Sequence, residues 1–112
     1  MECEQGKENG IMFLKPTGRI DTASSRAFEE TLVALLDKEN CMKLIISLEH
    51  VDYISSAGLR VFLMTAKRLK AGGGNLVLCC MAERILEVFQ MSGFDKIIQI
   101  KSTMEEAKQL FA

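Results

Sequence analysis

Histidine is nearly missing from this chain, with His50 the only one in 112 residues. Four cysteines are present (Cys3, Cys41, Cys79 and Cys80), but none stand in C-x-x-C spacing and none has a histidine at metal-ligand distance. A zinc site or a C-x-x-C redox motif therefore has no pattern to rest on, and neither a metal nor a cofactor is expected. Cys79 and Cys80 are neighbours in an expected strand, which would send their side chains to opposite faces. Reduced thiols acting as small hydrophobes are the simplest reading. A surplus of charge is missing too: the net charge of -1 offers no electrostatic footprint for nucleic acid or an anionic membrane. Long hydrophobic runs are lacking, and no signal-peptide pattern opens the sequence, so no membrane segment and a cytoplasmic location are expected. No linker, internal repeat or low-complexity stretch divides residues 1–112, so one domain is expected.

What is present reads as a globular core, with 48% apolar and 26% charged residues. The run Ile11 to Gly18, "IMFLKPTG", predicts a strand, and the preceding Asn9-Gly10 turn predicts a weaker strand folded back on it. Phe28, Leu32, Leu35 and Leu36 fall on one helical face. Asp21, Thr22, Ser24 and Ser25 all stand ready to cap that helix, and the sequence does not choose between them. "KLIISLEHV" predicts one strand buried on both faces. A second helix, with Leu59, Phe62, Leu63, Ala66 and Leu69 as its stripe, ends at the glycines Gly72 to Gly74. "LVLCCM" predicts a strand, Ala82 to Phe89 a short helix, "KIIQI" a last strand and "TMEEAKQLF" a closing helix. Thr103 and Glu106 have capping-box spacing there. Strands alternating with helices define an α/β fold with a mixed, mainly parallel sheet of four to five strands and about four helices.

The chemistry-bearing candidates are few. A nucleophilic serine in "ISSAGL" would need a base, and His50 with Asp52 is the sole option upstream. Ser56 also lacks the glycine that opens a nucleophile elbow, since Ile54 stands there. The glycine run follows a helix, whereas a phosphate loop precedes one, so it reads as a helix stop. Glu29-Glu30 and Glu105-Glu106 fan out over polar helix faces. Met42, Met64, Met81, Met91 and Met104 are scattered gap-fillers. No enzyme is expected.

What remains is "DYISSAGLRVFL", Asp52 to Leu63, where Ser55 or Ser56 would cap the second helix. On a helical wheel Ala57, Val61, Met64 and Arg68 face away from the core stripe, with Arg60 beside them. Next to a small-residue helix start they would form either a docking patch or a face packed against the next helix, and the sequence does not choose between them.

This stretch resembles the signature loop and helix of the STAS domain (sulfate transporter and anti-sigma factor antagonist), in particular the free-standing bacterial anti-sigma factor antagonists. "LKPTGRIDTASSRAFEETL", "KLIISLEHVDYI", "GGNLVLCC" and "ILEVFQMSGFDKIIQI" resemble further family segments in the same order. The resemblance implies a single STAS domain over 1–112 that binds an anti-sigma factor serine kinase and releases a sigma factor. It implies phosphorylation of Ser56, with Ser55 the less favoured acceptor, and reversal by a PP2C-type phosphatase. Ser55 stands where the family usually has Asp. Partner contact is expected at Asp21, Thr22, Ser55, Ser56, Ala57, Gly58, Arg60, Val61 and Met64, with Ala57 and Gly58 giving room for a partner's backbone. A STAS subunit of a transport or sensory complex, not phosphorylated, is the alternative. The assembly is expected to be a monomer or weak homodimer.

Overall fold

The computed structural model describes residues 2–38 and 40–111. The Asn9-Gly10 pair adopts positive φ at both positions, 53° and 80°, the conformation a tight hairpin turn needs. It joins β1 (Glu2–Glu8) to β2 (Ile11–Ile20), which pair antiparallel. β2 is followed by α1 (Thr22–Lys38), β3 (Lys43–Ser47), β4 (His50–Ile54) and α2 (Ser56–Ala71). β5 (Asn75–Cys79), α3 (Glu83–Ser92), a 3-10 turn (Phe94–Lys96), β6 (Gln99–Lys101) and α4 (Met104–Gln109) complete the described chain.

The sheet runs β1-β2-β3-β5-β6, and β4 also pairs with β2. Every pairing except β1–β2 is parallel. The sheet thus has six strands where four to five were expected, because the run "KLIISLEHV" is broken in two. β3 pairs with Met12 to Leu14 and β4 with Thr17 to Ile20, so the break falls beside Pro16. Proline has no N–H for the ladder, and its neighbour there turns instead to β5: Leu48 N–H donates to the Cys79 carbonyl at 2.9 Å. A further register shift follows between Gly18 and Arg19, where Gly18 has φ +109°.

Side-chain alternation then builds two unequal cores. Leu44, Ile46, Leu76 and Leu78 face α1, α2 and α3, whereas Ile45, Val77 and Cys79 face α4. The larger core is centred on Phe62 of α2, whose ring lies 5.3 Å from Phe28 of α1 and 5.7 Å from Phe89 of α3. All three rings are fully buried, so α2 is held against both neighbours and the sheet. Phe28, Leu32, Leu35 and Leu36 bury the face of α1 expected from their spacing. At the end of α2, Gly74 N–H donates to the Leu69 carbonyl, and a Cβ there would clash with the Met42 backbone. The glycine run is thus a helix stop packed on the start of β3.

One expectation about the strands fails at Cys80. It lies past the end of β5 with φ +63°, which turns its side chain off the alternation. Cys80 instead packs against the same small core that contains Cys79.

Candidate functional site

β2 and β4 run parallel and end together, with Ile20 opposite Ile54. A helix begins just after each, so α1 and α2 open at the same end of the sheet. The chain crosses between them through Ser55, whose N–H donates to the Ile20 carbonyl at 2.8 Å.

Ser55 is the N-cap of α2: its backbone is extended (φ -84°, ψ 170°) and its hydroxyl accepts from Gly58 N–H at 3.1 Å. Its carbonyl accepts from Leu59 N–H at 2.9 Å. The choice the sequence left open between the serines is therefore settled for the cap. Ser56 is the first helical residue, exposed, and its hydroxyl makes no hydrogen bond among the described residues. The N–H groups of Ser56 and Ala57 have no intrahelical acceptor, and the first turn holds no acidic residue. Arg60, one turn on, is exposed and forms no ion pair among the described residues. Long helical side chains lean toward the N-terminus, and the first turn lies on that side of Arg60.

The start of α1 is capped by Asp21, whose carboxylate accepts from Ser24 N–H at 2.9 Å while Ser24 Oγ accepts from Asp21 N–H at 3.0 Å. Ser24 Oγ also donates to the Arg19 carbonyl at 2.6 Å. These bonds from Ser24, then one from Ala23 N–H and the charge of Arg19, hold the Asp21 carboxyl below its usual range. Thr22 is exposed beside it. Arg19 lies 3.9 Å from Asp21 and places its guanidinium 4.2 Å above the ring of Tyr53, which is 41% exposed.

Two expected contact residues do not belong to this surface. Gly58 is buried: a Cβ there would lie 2.7 Å from Ile20 Cγ2 and 2.9 Å from the Ile20 carbonyl. The glycine makes room for the end of β2, not for a partner. Val61 is also buried, at 6% exposure, because α2 is covered by α1 and α3 as well as the sheet, which widens its apolar arc. Met64 is half-buried and Ala57 is half-buried. The pairing of Arg19 with Tyr53 escaped the sequence reading, since only the β2–β4 register brings them together.

His50 does not join Ser56. It opens β4, four residues before Ile54, which at the rise of an extended chain is about 13 Å away. Its ring faces Glu49 at 3.7 Å. No serine–histidine pair is assembled, and among the described residues no cluster of His, Cys, Asp or Glu is suited to a metal.

A model of the STAS domain matches residues 4–107, and the chain belongs to that family. The anti-sigma-B factor antagonist of Bacillus subtilis is 38% identical over 102 residues, covering 91% of each chain. BtrV of Bordetella bronchiseptica is 36% identical over 111 residues, covering 99% of this chain and 95% of its own. Among solved structures, an anti-sigma factor antagonist from Mycobacterium paratuberculosis shares the fold with a TM-score of 0.89 at 19% identity, covering 97% of this chain and 92% of its own. None of the described helices is long and apolar enough to cross a membrane.

Proposed function

We propose that this chain is an anti-sigma factor antagonist whose docking surface is the end of the sheet carrying Ser56, and that a partner kinase phosphorylates Ser56 to end binding. The observation that carries this reading is the division of labour between the serines. Ser55 holds the helix, and Ser56 offers a hydroxyl with no structural duty. The relatives named as antagonists at 34–38% identity support the role.

Phosphate adds about -1.5 to -2 charges and three acceptor oxygens. At the start of α2 that charge meets open N–H groups and the positive end of the helix dipole, so the domain stays folded. A docked partner, by contrast, would have to bury the phosphate, at a cost of several kcal/mol if unpaired. That loss is enough to dissolve a micromolar contact. The partner is an anti-sigma factor with serine kinase activity, and a PP2C-type phosphatase restores the hydroxyl, all in the cytoplasm. The chain itself is no enzyme: Ser56 is a substrate group without a base.

Affinity capture tests this with wild-type, Ser56→Ala and Ser56→Asp baits, followed by incubation of the captured kinase with ATP. Wild type and Ser56→Ala should retain the anti-sigma factor, Ser56→Asp should lose it, and only wild type should gain phosphate. Equal retention by all three baits would reduce Ser56 to a surface residue.

A further inference from the structure

Gly6 stands in the middle of β1 where the fold makes no demand for a glycine. Its φ is not positive, and a Cβ built on it would meet nothing within 4 Å. Glycine weakens a strand interior, and where nothing inside the molecule needs it, it marks a place of close approach from outside. Directly opposite in the register is Phe13, a half-buried ring. The missing side chain leaves that ring open on the side of β1.

Two clefts flank the ring, of about 270 and 180 Å3, and Phe13 lines both. Glu8, Ile11, Lys108 and Phe111 line the first; Glu4, Gly6, Lys15 and Met104 line the second. Together they mark a groove between β1 and α4. Glu2, Glu4 and Glu8 stand opposite Thr17, Lys15 and Ile11, so all three acids share the face of Phe13.

The local cations leave part of this charge unmatched. Lys108 Nζ lies 3.3 Å from Glu8 and 5.3 Å over the Phe13 ring. It shows within the chain what the groove accepts: an ammonium held between a carboxylate and a ring. Lys15 stands opposite Glu4, but its ammonium is 3.3 Å from Glu49. Glu2 and Glu4 form no ion pair among the described residues.

β1 is also the last strand on its side of the sheet, so its outer edge has no strand partner among the described residues. A second copy fits that edge poorly. Antiparallel pairing of two β1 strands about Gln5 sets Glu2 against Glu8, and pairing about Gly6 sets Glu4 against Glu8. A strand with basic side chains is the complement.

We propose that the outer edge of β1 takes up an extended segment of another protein, added antiparallel to the sheet. It places an apolar side chain opposite Gly6 and basic side chains opposite Glu4 and Glu2. Antiparallel addition is the more stable of the two pairings. Alternate residues share a face, so the segment reads apolar-x-basic-x-basic. The groove lies on the face away from α2, and its occupation does not rest on Ser56.

The probe is the peptide acetyl-Thr-Trp-Thr-Lys-Thr-Lys-Thr-amide. The chain has no tryptophan, so the indole fluorescence belongs to the probe alone. Titration into the millimolar range should change that fluorescence and move the amide resonances of Glu2–Glu8 and Met104–Gln109, while those of Ser56 to Arg60 stay in place. The isomer acetyl-Thr-Trp-Lys-Thr-Lys-Thr-Thr-amide has the same composition but sends both lysines to the other face, and should bind about tenfold more weakly. Gly6→Val fills the space beside Phe13 with a good strand former, so it should fold as wild type does and lose the peptide. Glu4→Lys should weaken binding about tenfold. Unmoved β1 resonances, equal binding of the two isomers, or a Gly6→Val protein that binds as wild type does would each overturn the proposal. Movement of the β1 resonances on concentrating the protein alone would overturn it too, by giving the edge to a second copy.

Discussion

Gly58 and Ile20 occupy what would otherwise be the same space: a Cβ on Gly58 would fall 2.7 Å from Ile20 Cγ2. The start of α2 is thus pressed onto the end of β2, and Ser55 N–H fastens the two through the Ile20 carbonyl. The position of Ser56 follows from this contact, not from the loop before it.

Gly58→Ala should therefore overpack a buried junction and cost about 1–3 kcal/mol, despite the better helix propensity of alanine. Urea denaturation measures this as a lower midpoint at unchanged slope. A variant as stable as wild type would mean the junction relaxes freely.

The serines should separate by mutation. Ser55→Ala removes the cap and should cost about 1 kcal/mol. Ser56→Ala removes no hydrogen bond and should stay within about 0.5 kcal/mol of wild type, while abolishing phosphate incorporation. Thermal melts and a kinase assay on both variants check the pair.

Phosphorylated Ser56 should raise stability, not lower it, by about 0.3–1 kcal/mol at low ionic strength, because the first turn of α2 carries no acid. High salt should erase the gain, and Arg60→Ala should reduce it. Melting curves of the two forms across a salt series give the sign.

Asp21 supplies a pH dependence. Its folded carboxyl lies below the ordinary value of 3.8, chiefly through the bonds from Ser24. The stabilisation is present above the unfolded value and is lost as pH falls through the folded one. Asn also caps helices well, so Asp21→Asn isolates the charge. The two proteins should differ in urea midpoint at neutral pH and converge below pH 3.8.

Much of this was legible in the sequence, for reasons that differ by element. The α1 stripe and the Thr103 cap, whose hydroxyl accepts from Glu106 N–H at 3.1 Å, depend on neighbours along the chain. The Asn9-Gly10 hairpin is equally local. The break between β3 and β4 was not legible, because its cause, Pro16, lies on another strand. Val61 was misplaced because helical spacing gives the centre of a buried face, but the number of covering neighbours sets its width. Cys80 left the strand alternation because its backbone turns left-handed, which nothing in a cysteine foretells.

The broken partner of β2 also bears on how the molecule assembles. β2 is hydrogen-bonded to β1, β3 and β4, and only β1 is its neighbour along the chain. The hairpin can close on the microsecond scale, but the other edge of β2 waits for the intervening α1 to fold back. Phe62 then needs Phe28 behind it and Phe89 ahead of it before its pocket is complete. Non-local closures of this kind slow folding. The helix that carries Ser56 is therefore fixed late, and a chain stalled before Phe89 docks would show a partner the right serine on an unfinished support.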